Sequence, residues 1–267
     1  DIKLLSVTKG NFNEEKLMRV ARVWLRSAVV VVLSNFAVAE ELPVGTEGGQ
    51  WRAYGGDKAG TKYSPLDQIN RDNFQELEVA WRWVSADGFL TKTTAAGGEW
   101  SAPRDDVVGQ LVRETPDLYR NQNTPNWASF QATPLMIDGV LYFNTPLSQG
   151  VAVDAASGKT RWIYNPKSYE EGTTSMTVTW RQRGVAYWTD GEEERILWGT
   201  GNGYLICVDA RSGHPCRGFG NGGHVDLTQG LPRADRNSRD YLNAMLYSVQ
   251  SPPIVVGDTV VHGSSIA

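Results

Sequence analysis

The sequence predicts an all-β protein of the β-propeller class, because one short unit recurs three times along the chain. The units begin at Gln131, Arg183 and Gln250. Asp154 and Asp209 occupy equivalent places in the first two units and lie 55 residues apart, a period typical of stacked β-meanders. Short apolar runs alternate with Asp-Gly, Ser-Gly or Gly-Asp turns, as antiparallel hairpins require.

The first unit shows how each strand is predicted. Residues 135–137 and 140–143 are apolar and flank an Asp-Gly dipeptide, which suits a tight hairpin because glycine tolerates a positive φ. In a second hairpin, residues 151–153 and 161–164 flank an Ala-Ala-Ser-Gly turn. Each unit therefore supplies about four strands, the content of one propeller blade, and we expect an incomplete set of about three blades. A linear β-solenoid is the alternative, but its repeats are usually shorter.

The first strand of a blade is the innermost, so its first residue faces the propeller axis. Gln131, Arg183 and Gln250 hold this place, which is polar or cationic each time. Because innermost strands converge on the axis, we expect polar rings around a central channel. An arginine there is costly to desolvate without an anionic partner, and its planar fork matches a carboxylate, although a wet channel rim is the structural alternative. A second polar position ends the next strand, at Thr145, Thr200 and Ser264.

Residues 18–39 have the order of a secretory signal peptide. A basic stretch from Met18 to Arg26 precedes a short apolar core and an A-x-A-like cleavage pattern. The core is too short to span a bilayer, and a buried core helix or a retained signal anchor are the alternatives. We therefore divide the chain into residues 1–39, with the signal peptide, and residues 40–267, the truncated N-terminal portion of a propeller domain. Export to a bacterial periplasm is expected.

Charge and cysteine content narrow the possible functions. The net charge of −4 argues against nucleic-acid binding, and the three histidines show no metal-ligand spacing. The two cysteines, Cys207 and Cys216, lie on either side of a turn, and adjacent antiparallel strands could bring them within disulfide range. Alternatively, Cys207 holds the place of Ala152 in the first unit and is a small core residue. The sequence leaves both possibilities open.

Longer strings, taken in order, are more specific than the repeat itself. They include Ala-Thr-Pro-Leu, Val-Asp-Ala-Ala-Ser-Gly-Lys, Arg-Gly-Val-Ala-Tyr-Trp and Gly-Asn-Gly-Gly-His-Val-Asp-Leu, beginning at residues 132, 153, 183 and 220. Together with Trp-Arg-Ala-Tyr-Gly-Gly at 51–56, they make the chain from about residue 50 onward resemble the pyrroloquinoline quinone (PQQ) dependent dehydrogenases. These are periplasmic propellers of eight blades, so the resemblance implies that fold for the full protein. The glucose-dehydrogenase branch looks closer than the methanol-dehydrogenase branch.

The resemblance implies cofactor-binding roles for three residues. Gln131 falls where the family usually places a Glu or Gln that contacts the quinone. Arg183 falls on the arginine that pairs with a PQQ carboxylate, and Thr200 matches a hydroxyl that hydrogen-bonds the cofactor. The calcium-binding Asn and the Asp base of the family lie beyond Ala267, so no catalytic or metal-ligating residue is assigned in this chain. The adjacent cysteine pair that some relatives place against the quinone is absent from the sequence.

The resemblance also implies an activity. It points to a periplasmic quinoprotein dehydrogenase that oxidises an alcohol or a sugar by hydride transfer to PQQ, with calcium polarising the quinone. Electrons would pass to ubiquinone or a cytochrome c, and membrane association stays open. A non-catalytic propeller that acts as a periplasmic binding or assembly scaffold is the alternative. Arg183 and the Gly-Val-Ala-Tyr-Trp string after it favour the enzyme, although we expect this segment alone to be inactive.

Overall fold

The computed structural model describes residues 45–85, 87, 130–168, 181–230 and 249–264, and the backbone alone of residues 3–6, 91–93 and 101–103. The predicted signal peptide lies outside these ranges. Within them the chain forms two 3₁₀ helices, Glu47–Gly49 and Phe74–Glu76, and thirteen strands. The strands are β1 (Lys3–Ser6), β2 (Thr91–Thr93), β3 (Ser101–Pro103), β4 (Leu135–Ile137), β5 (Val140–Asn144), β6 (Gly150–Asp154), β7 (Thr160–Tyr164), β8 (Ala186–Thr189), β9 (Glu194–Gly199), β10 (Tyr204–Asp209), β11 (His224–Asp226), β12 (Ile254–Val256) and β13 (Thr259–His262).

The first repeat unit forms a four-stranded antiparallel sheet in the order β4-β5-β6-β7. Val151 in β6 lies opposite Phe143 on one side and Ile163 on the other, so strands that follow one another in sequence are neighbours. The β4–β5 turn is the predicted dipeptide Asp138-Gly139, with φ angles of 47° and 76°. Both angles are positive, as a two-residue type I′ hairpin needs. The predicted hairpin and the predicted four-strand content are confirmed.

The second unit repeats this arrangement as β8-β9-β10-β11. The turn after β10 duplicates the turn after β6. Asp209 accepts a hydrogen bond from the Ser212 amide at 2.7 Å, as Asp154 does from the Ser157 amide at 3.0 Å. Such Asp-to-backbone bonds stabilise a turn locally, which explains why the Asp-x-x-Ser string recurs at the same place in each blade.

The third unit contributes β12 and β13 within the described residues. β13 pairs with β12 along one edge and with the backbone of β1 along the other. The unit packs against the second blade through Val249 and Val260, which share a hydrophobic cluster with Leu197 and Leu205. The sheet pair β2-β3 stands apart from the three units in sequence. None of the helices in the described ranges has the length and hydropathy of a membrane span.

Tryptophan side chains join each unit to the next. Trp162 in β7 lies across the Ser-Gly turn of the second blade, where its indole N–H donates to the Ala210 carbonyl at 2.8 Å. A Cβ atom at Gly213 would come within 2.6 Å of this ring, so a glycine is needed there. Trp81, which precedes the first blade, covers Gly158 in the same way and donates to a carbonyl of that turn at 3.0 Å. The repeated Ser-Gly turn is therefore also a docking surface for the preceding tryptophan.

A hydrophobic cluster fills the space between the first two blades. Trp198 in β9 is fully buried, and its indole N–H donates to the Ser148 carbonyl of the first blade at 2.8 Å. Its ring occupies the space that a side chain at Gly150 would need. This packing fixes the blades against each other. The cluster also contains Leu135, Ile137, Tyr142, Trp162, Val185, Ile196, Ile206 and Val208.

Cys207 and Cys216 form a disulfide within the second blade, with their Cα atoms 5.5 Å apart. The backbone turn brings them together, since the Cys216 amide donates to the Cys207 carbonyl at 3.0 Å. Cys207 is also wholly buried among Leu205 and Phe219. The two alternatives that the sequence left open are therefore both realised, because the same residue is a core residue and a disulfide partner.

Candidate cofactor site at the blade hub

Three units meet at the backbone of Arg183. The Thr133 amide donates to the Arg183 carbonyl, and the Arg183 amide donates to the Gln250 carbonyl, each at 3.0 Å. Thr133 and Gly184 also form a parallel β-bridge, as neighbouring innermost strands should. The segments that begin with Gln131, Arg183 and Gln250 therefore lie side by side, and we call their meeting point the hub.

Gly184 permits this close approach of two strands. Its φ of 143° lies in the region that favours glycine. A Cβ atom at this position would lie 3.0 Å from the Thr133 carbonyl oxygen, tighter than ordinary contacts. The Arg-Gly pair thus places a long cationic side chain next to a residue that lets the neighbouring backbone come close.

The Arg183 side chain is exposed, and its guanidinium has no ion pair or hydrogen bond with any residue that the structure describes. Two arginines within the blade strands are paired instead. Arg161 in β7 pairs with Asp154 at 2.8 Å, and Arg195 in β9 pairs with Glu193 at 2.5 Å. A guanidinium that is fixed at its backbone and lacks a described protein partner is available to an anionic ligand, which it can bind with two parallel hydrogen bonds.

The other two residues that open innermost strands supply amide groups at the hub. Gln131 is exposed and Gln250 is half-buried. The Gln250 carbonyl accepts from the Arg183 amide, and Gln131 lies two positions before Thr133, whose amide donates to the Arg183 carbonyl. Side-chain amides can donate to carboxylate or carbonyl oxygens of a ligand. The role of Gln131 in binding a cofactor stays a prediction.

Thr200 is fully buried and closes the loop after β9. Its hydroxyl accepts a hydrogen bond from the Tyr204 amide at 3.0 Å and donates to Asn202 Oδ1 at 2.5 Å. Because a hydroxyl has one proton, Thr200 could donate to a cofactor only if its hydrogen bond to Asn202 Oδ1 were broken. The cofactor role of Thr200 therefore stays a prediction, and its visible role is to close a loop. Ser264, at the equivalent place in the third unit, is half-buried.

Beneath Arg183 lies a pair of buried amides that the sequence did not reveal. Asn144 Nδ2 donates to the Gly184 carbonyl at 3.0 Å and to Gln182 Oε1 at 3.4 Å. Gln182 Nε2 donates in turn to Ser148 Oγ at 3.1 Å. The one available sequence signal was a polar Asn at the end of an apolar strand, and nothing in the sequence joins it to a Gln 38 positions later.

Asp87 is a buried carboxylate that sequence reasoning also missed. It accepts hydrogen bonds from Thr145 Oγ1 at 2.8 Å, from Gln149 Nε2 at 2.6 Å and from the Leu147 amide at 3.2 Å. Burial raises the pKa of Asp87 above its usual 3.8, and these three hydrogen bonds oppose the rise. These hydrogen-bond partners are neutral, so the carboxylate holds the loop through hydrogen bonds and not through an ion pair.

His262 is a second buried titratable group near the hub. Its Nδ1 donates to the Gly263 carbonyl at 2.7 Å, and Nε2 is buried with no hydrogen-bond partner in the described part of the chain. Burial lowers the pKa of His262 below 6.5, which favours the neutral ring. The ring lies beside Gly199, where a Cβ atom would come within 2.6 Å of Nε2. Among the described residues, no group of three or more His, Cys, Asp or Glu side chains could hold a metal ion.

Comparison with known proteins bears directly on this hub. A family model described as "PQQ: Glucose/ethanol/alcohol dehydrogenase, beta-propeller domain" matches residues 51–267. The chain belongs to this family. Because the matched range contains all three repeat units, the blades seen here are blades of the PQQ-type propeller, and the predicted fold class and family are confirmed.

Individual relatives agree with this assignment. The chain is 29% identical over 232 residues to a quinoprotein glucose dehydrogenase of Gluconobacter oxydans, a match that covers 81% of this chain and 24% of the relative. It is 30% identical over 221 residues to the glycerol dehydrogenase large subunit of the same organism, covering 80% of this chain and 24% of that protein. The chain therefore spans about a quarter of the length of the curated relatives it matches.

A solved structure supports the fold. The quinohemoprotein alcohol dehydrogenase of Comamonas testosteroni superimposes with a TM-score of 0.50 at 22% identity, covering 81% of this chain and 23% of that one. At this identity the match supports the propeller fold and not a shared substrate.

The hub residues fit an acidic quinone. PQQ carries carboxylates and carbonyl oxygens, which accept hydrogen bonds, and the hub offers donors: the Arg183 guanidinium and the amides of Gln131 and Gln250. An exposed cation without a described protein partner is the feature that such a ligand would satisfy. The described residues therefore have the donor chemistry for one side of a PQQ site.

Proposed function

We propose that the complete protein is a PQQ-dependent dehydrogenase that oxidises an alcohol or a sugar, and that this chain contributes part of the cofactor grip. The observation that carries the proposal is Arg183, whose backbone bonds to two neighbouring units and whose exposed guanidinium has no partner among the described residues. Family membership over residues 51–267 supports it. Oxidoreductase chemistry fits the relatives, whose names are those of glucose and glycerol dehydrogenases.

Each hub residue has a distinct part in this proposal. Arg183 would pair with a PQQ carboxylate, and Gln131 would donate to a second oxygen of the same ligand. Thr200 would donate its hydroxyl proton to the cofactor, which requires the bond to Asn202 Oδ1 to break. When bound, PQQ supplies the acceptor for a hydride from the substrate carbon, with calcium as the polarising ion. The base and the calcium ligands are proposed to belong to the part of the protein beyond this chain.

The location and the electron acceptor follow from the same proposal. Residues 18–39 have the pattern of a signal peptide, and the Cys207–Cys216 disulfide supports an oxidising compartment such as the bacterial periplasm. Ubiquinone or a cytochrome c is the proposed acceptor of the electrons. Small alcohols and sugars are the proposed substrates, and membrane association would follow if the signal segment is retained as an anchor.

A PQQ titration of the complete protein tests the proposal. In the presence of calcium, Arg183→Ala should weaken PQQ binding by about 2–4 kcal/mol, because one charge-assisted carboxylate contact is lost. Arg161→Ala is the matched control, since it removes an arginine of β7 that pairs with Asp154 in β6 and should leave PQQ affinity unchanged. Unchanged affinity in Arg183→Ala would remove this residue from the site. Absence of any PQQ binding by the wild-type protein would favour the scaffold alternative.

A further inference from the structure

The residues on both sides of Arg183 are held by one buried side chain. Asn144 is fully buried at the end of β5, and its Nδ2 group reaches the Gly184 carbonyl at 3.0 Å. The same Nδ2 group lies 3.4 Å from Gln182 Oε1. The peptide 182–184, which carries the guanidinium, is thus attached to the first blade before and after Arg183.

Gln182 extends this attachment to the third unit. Its side chain is 2% exposed, and Nε2 donates to Ser148 Oγ at 3.1 Å and to the Val249 carbonyl at 3.5 Å. Ser148 belongs to the first blade, and Val249 precedes Gln250 in the third unit. The residue before Arg183 therefore contacts the units on either side, which are the same two units that bond the Arg183 backbone.

The energetics of this network argue against a purely stabilising role. Burying two amides costs free energy unless every donor and acceptor is satisfied. Here Asn144 Oδ1 is buried and has no hydrogen-bond partner among the residues that the structure describes. Apolar residues of the same size would avoid that cost, as they often do when they replace buried polar groups. What the amides give, and apolar residues could not, is a directional hold on the peptide 182–184.

We infer that Gln182 and Asn144 are positioning residues that set the place of the Arg183 guanidinium for an acidic ligand. The inference rests on the proposed function, since PQQ is the ligand concerned. A guanidinium makes two parallel bonds to a carboxylate only within a narrow range of positions, so its backbone must be held before the ligand arrives. Without the amides, the innermost strand could shift between its neighbours, and binding would have to restore the order.

A double-mutant cycle on PQQ affinity in the complete protein tests this inference. Gln182→Leu should weaken PQQ binding about tenfold, the size of the loss at metal sites when a hydrogen bond that orients a ligating side chain is removed. In an Arg183→Ala background the same change should have no further effect, because the group that it positions is gone. The readout is quenching of tryptophan fluorescence on PQQ addition, which does not depend on turnover.

Gln149→Leu is the matched control. Gln149 is also 2% exposed and also bonds through Nε2, but its partner is Asp87 and not the strand that carries Arg183. It should change PQQ affinity by less than about twofold while lowering the unfolding temperature. Thermal unfolding checks that each variant folds, and Asn144→Leu, which breaks the same link from the other side, replaces Gln182→Leu if that variant does not fold.

The outcomes separate this inference from the proposed function. Weakening by Gln182→Leu that disappears in the Arg183→Ala background supports positioning. Equal weakening in both backgrounds would mean general loosening and would overturn the inference, as would unchanged affinity in Gln182→Leu. If Arg183→Ala itself leaves PQQ affinity unchanged, the proposed function fails at this site and the positioning role fails with it.

Discussion

The loop after β5 and the loop after β9 share a backbone but differ in what they hold. In both, a threonine amide bonds the carbonyl four residues later, Thr145 to Gln149 at 2.9 Å and Thr200 to Tyr204 at 2.8 Å. In the first blade the threonine hydroxyl donates to Asp87, 58 positions away. In the second blade the equivalent hydroxyl donates to a residue of its own loop. The repeat therefore fixes the backbone of each blade, while single polar residues give each loop its own contacts.

The residue before each threonine also differs between the two blades. Asn144 precedes Thr145 and reaches across to the peptide that carries Arg183. Gly199 precedes Thr200, and its missing side chain leaves room for Val249 and His262 of the third unit. The first blade thus extends a side chain to its neighbour, whereas the second blade accommodates two side chains of the third unit. Equivalent positions in a repeat can serve opposite purposes in packing.

Substitution of Gly199 should have the largest effect on stability. A Cβ atom there would overlap Val249 and come within 2.6 Å of His262 Nε2, and both groups are buried. We expect Gly199→Ala to lower the free energy of unfolding by about 3 kcal/mol, because overpacking forces the third unit to move. Urea unfolding of the complete protein measures it. A change below about 0.5 kcal/mol, the range of ordinary surface substitutions, would show that the two units are not packed as described.

Loss of Asp87 should have the next largest effect. Asp87→Ala leaves Gln149 Nε2 and the Leu147 amide buried without an acceptor, so we expect a loss of about 2 kcal/mol in unfolding free energy. Asn202→Ala is the comparison in the second blade and should cost about 1 kcal/mol, because it removes the acceptor of the Thr200 hydroxyl. Equal losses of unfolding free energy in the two variants would contradict the view that the contacts of Asp87 stabilise the first loop more than the contact of Asn202 stabilises the second.

The pH dependence of stability should show the smallest effect, and the first loop should be its source. Burial raises the pKa of Asp87 above 3.8 in the folded protein, so between 3.8 and that raised value the folded state binds more protons than the unfolded state. The stability of wild type relative to Asp87→Asn should therefore fall as pH rises through this window and level off above it. Urea unfolding over a pH series measures the difference. If the stability of wild type relative to Asp87→Asn instead increases with pH, the carboxylate is not desolvated.

The repeat allowed the blades to be predicted because its signals are local and occur more than once along the chain. The Asp-x-x-Ser-Gly turns and the apolar runs fixed strand order and hairpins, and the shared spacing of Gln131, Arg183 and Gln250 indicated the hub. The amide network and the buried Asp87 could not be found in this way. Each depends on contacts between residues about 40 to 60 positions apart that occur once, and a single polar residue at a strand end does not indicate its partner. The burial of Thr200 could not be predicted from the sequence either, since threonine occurs both in solvent-exposed and in buried positions.

The disulfide of the second blade offers a way to measure how fast this blade opens locally. Cys207 is wholly buried and Cys216 nearly so, so reduction by a small thiol should be much faster while that sheet is open. The rate at which an alkylating reagent labels the reduced cysteines would then report how often this blade opens. PQQ, if it binds across the neighbouring strands, should lower that rate.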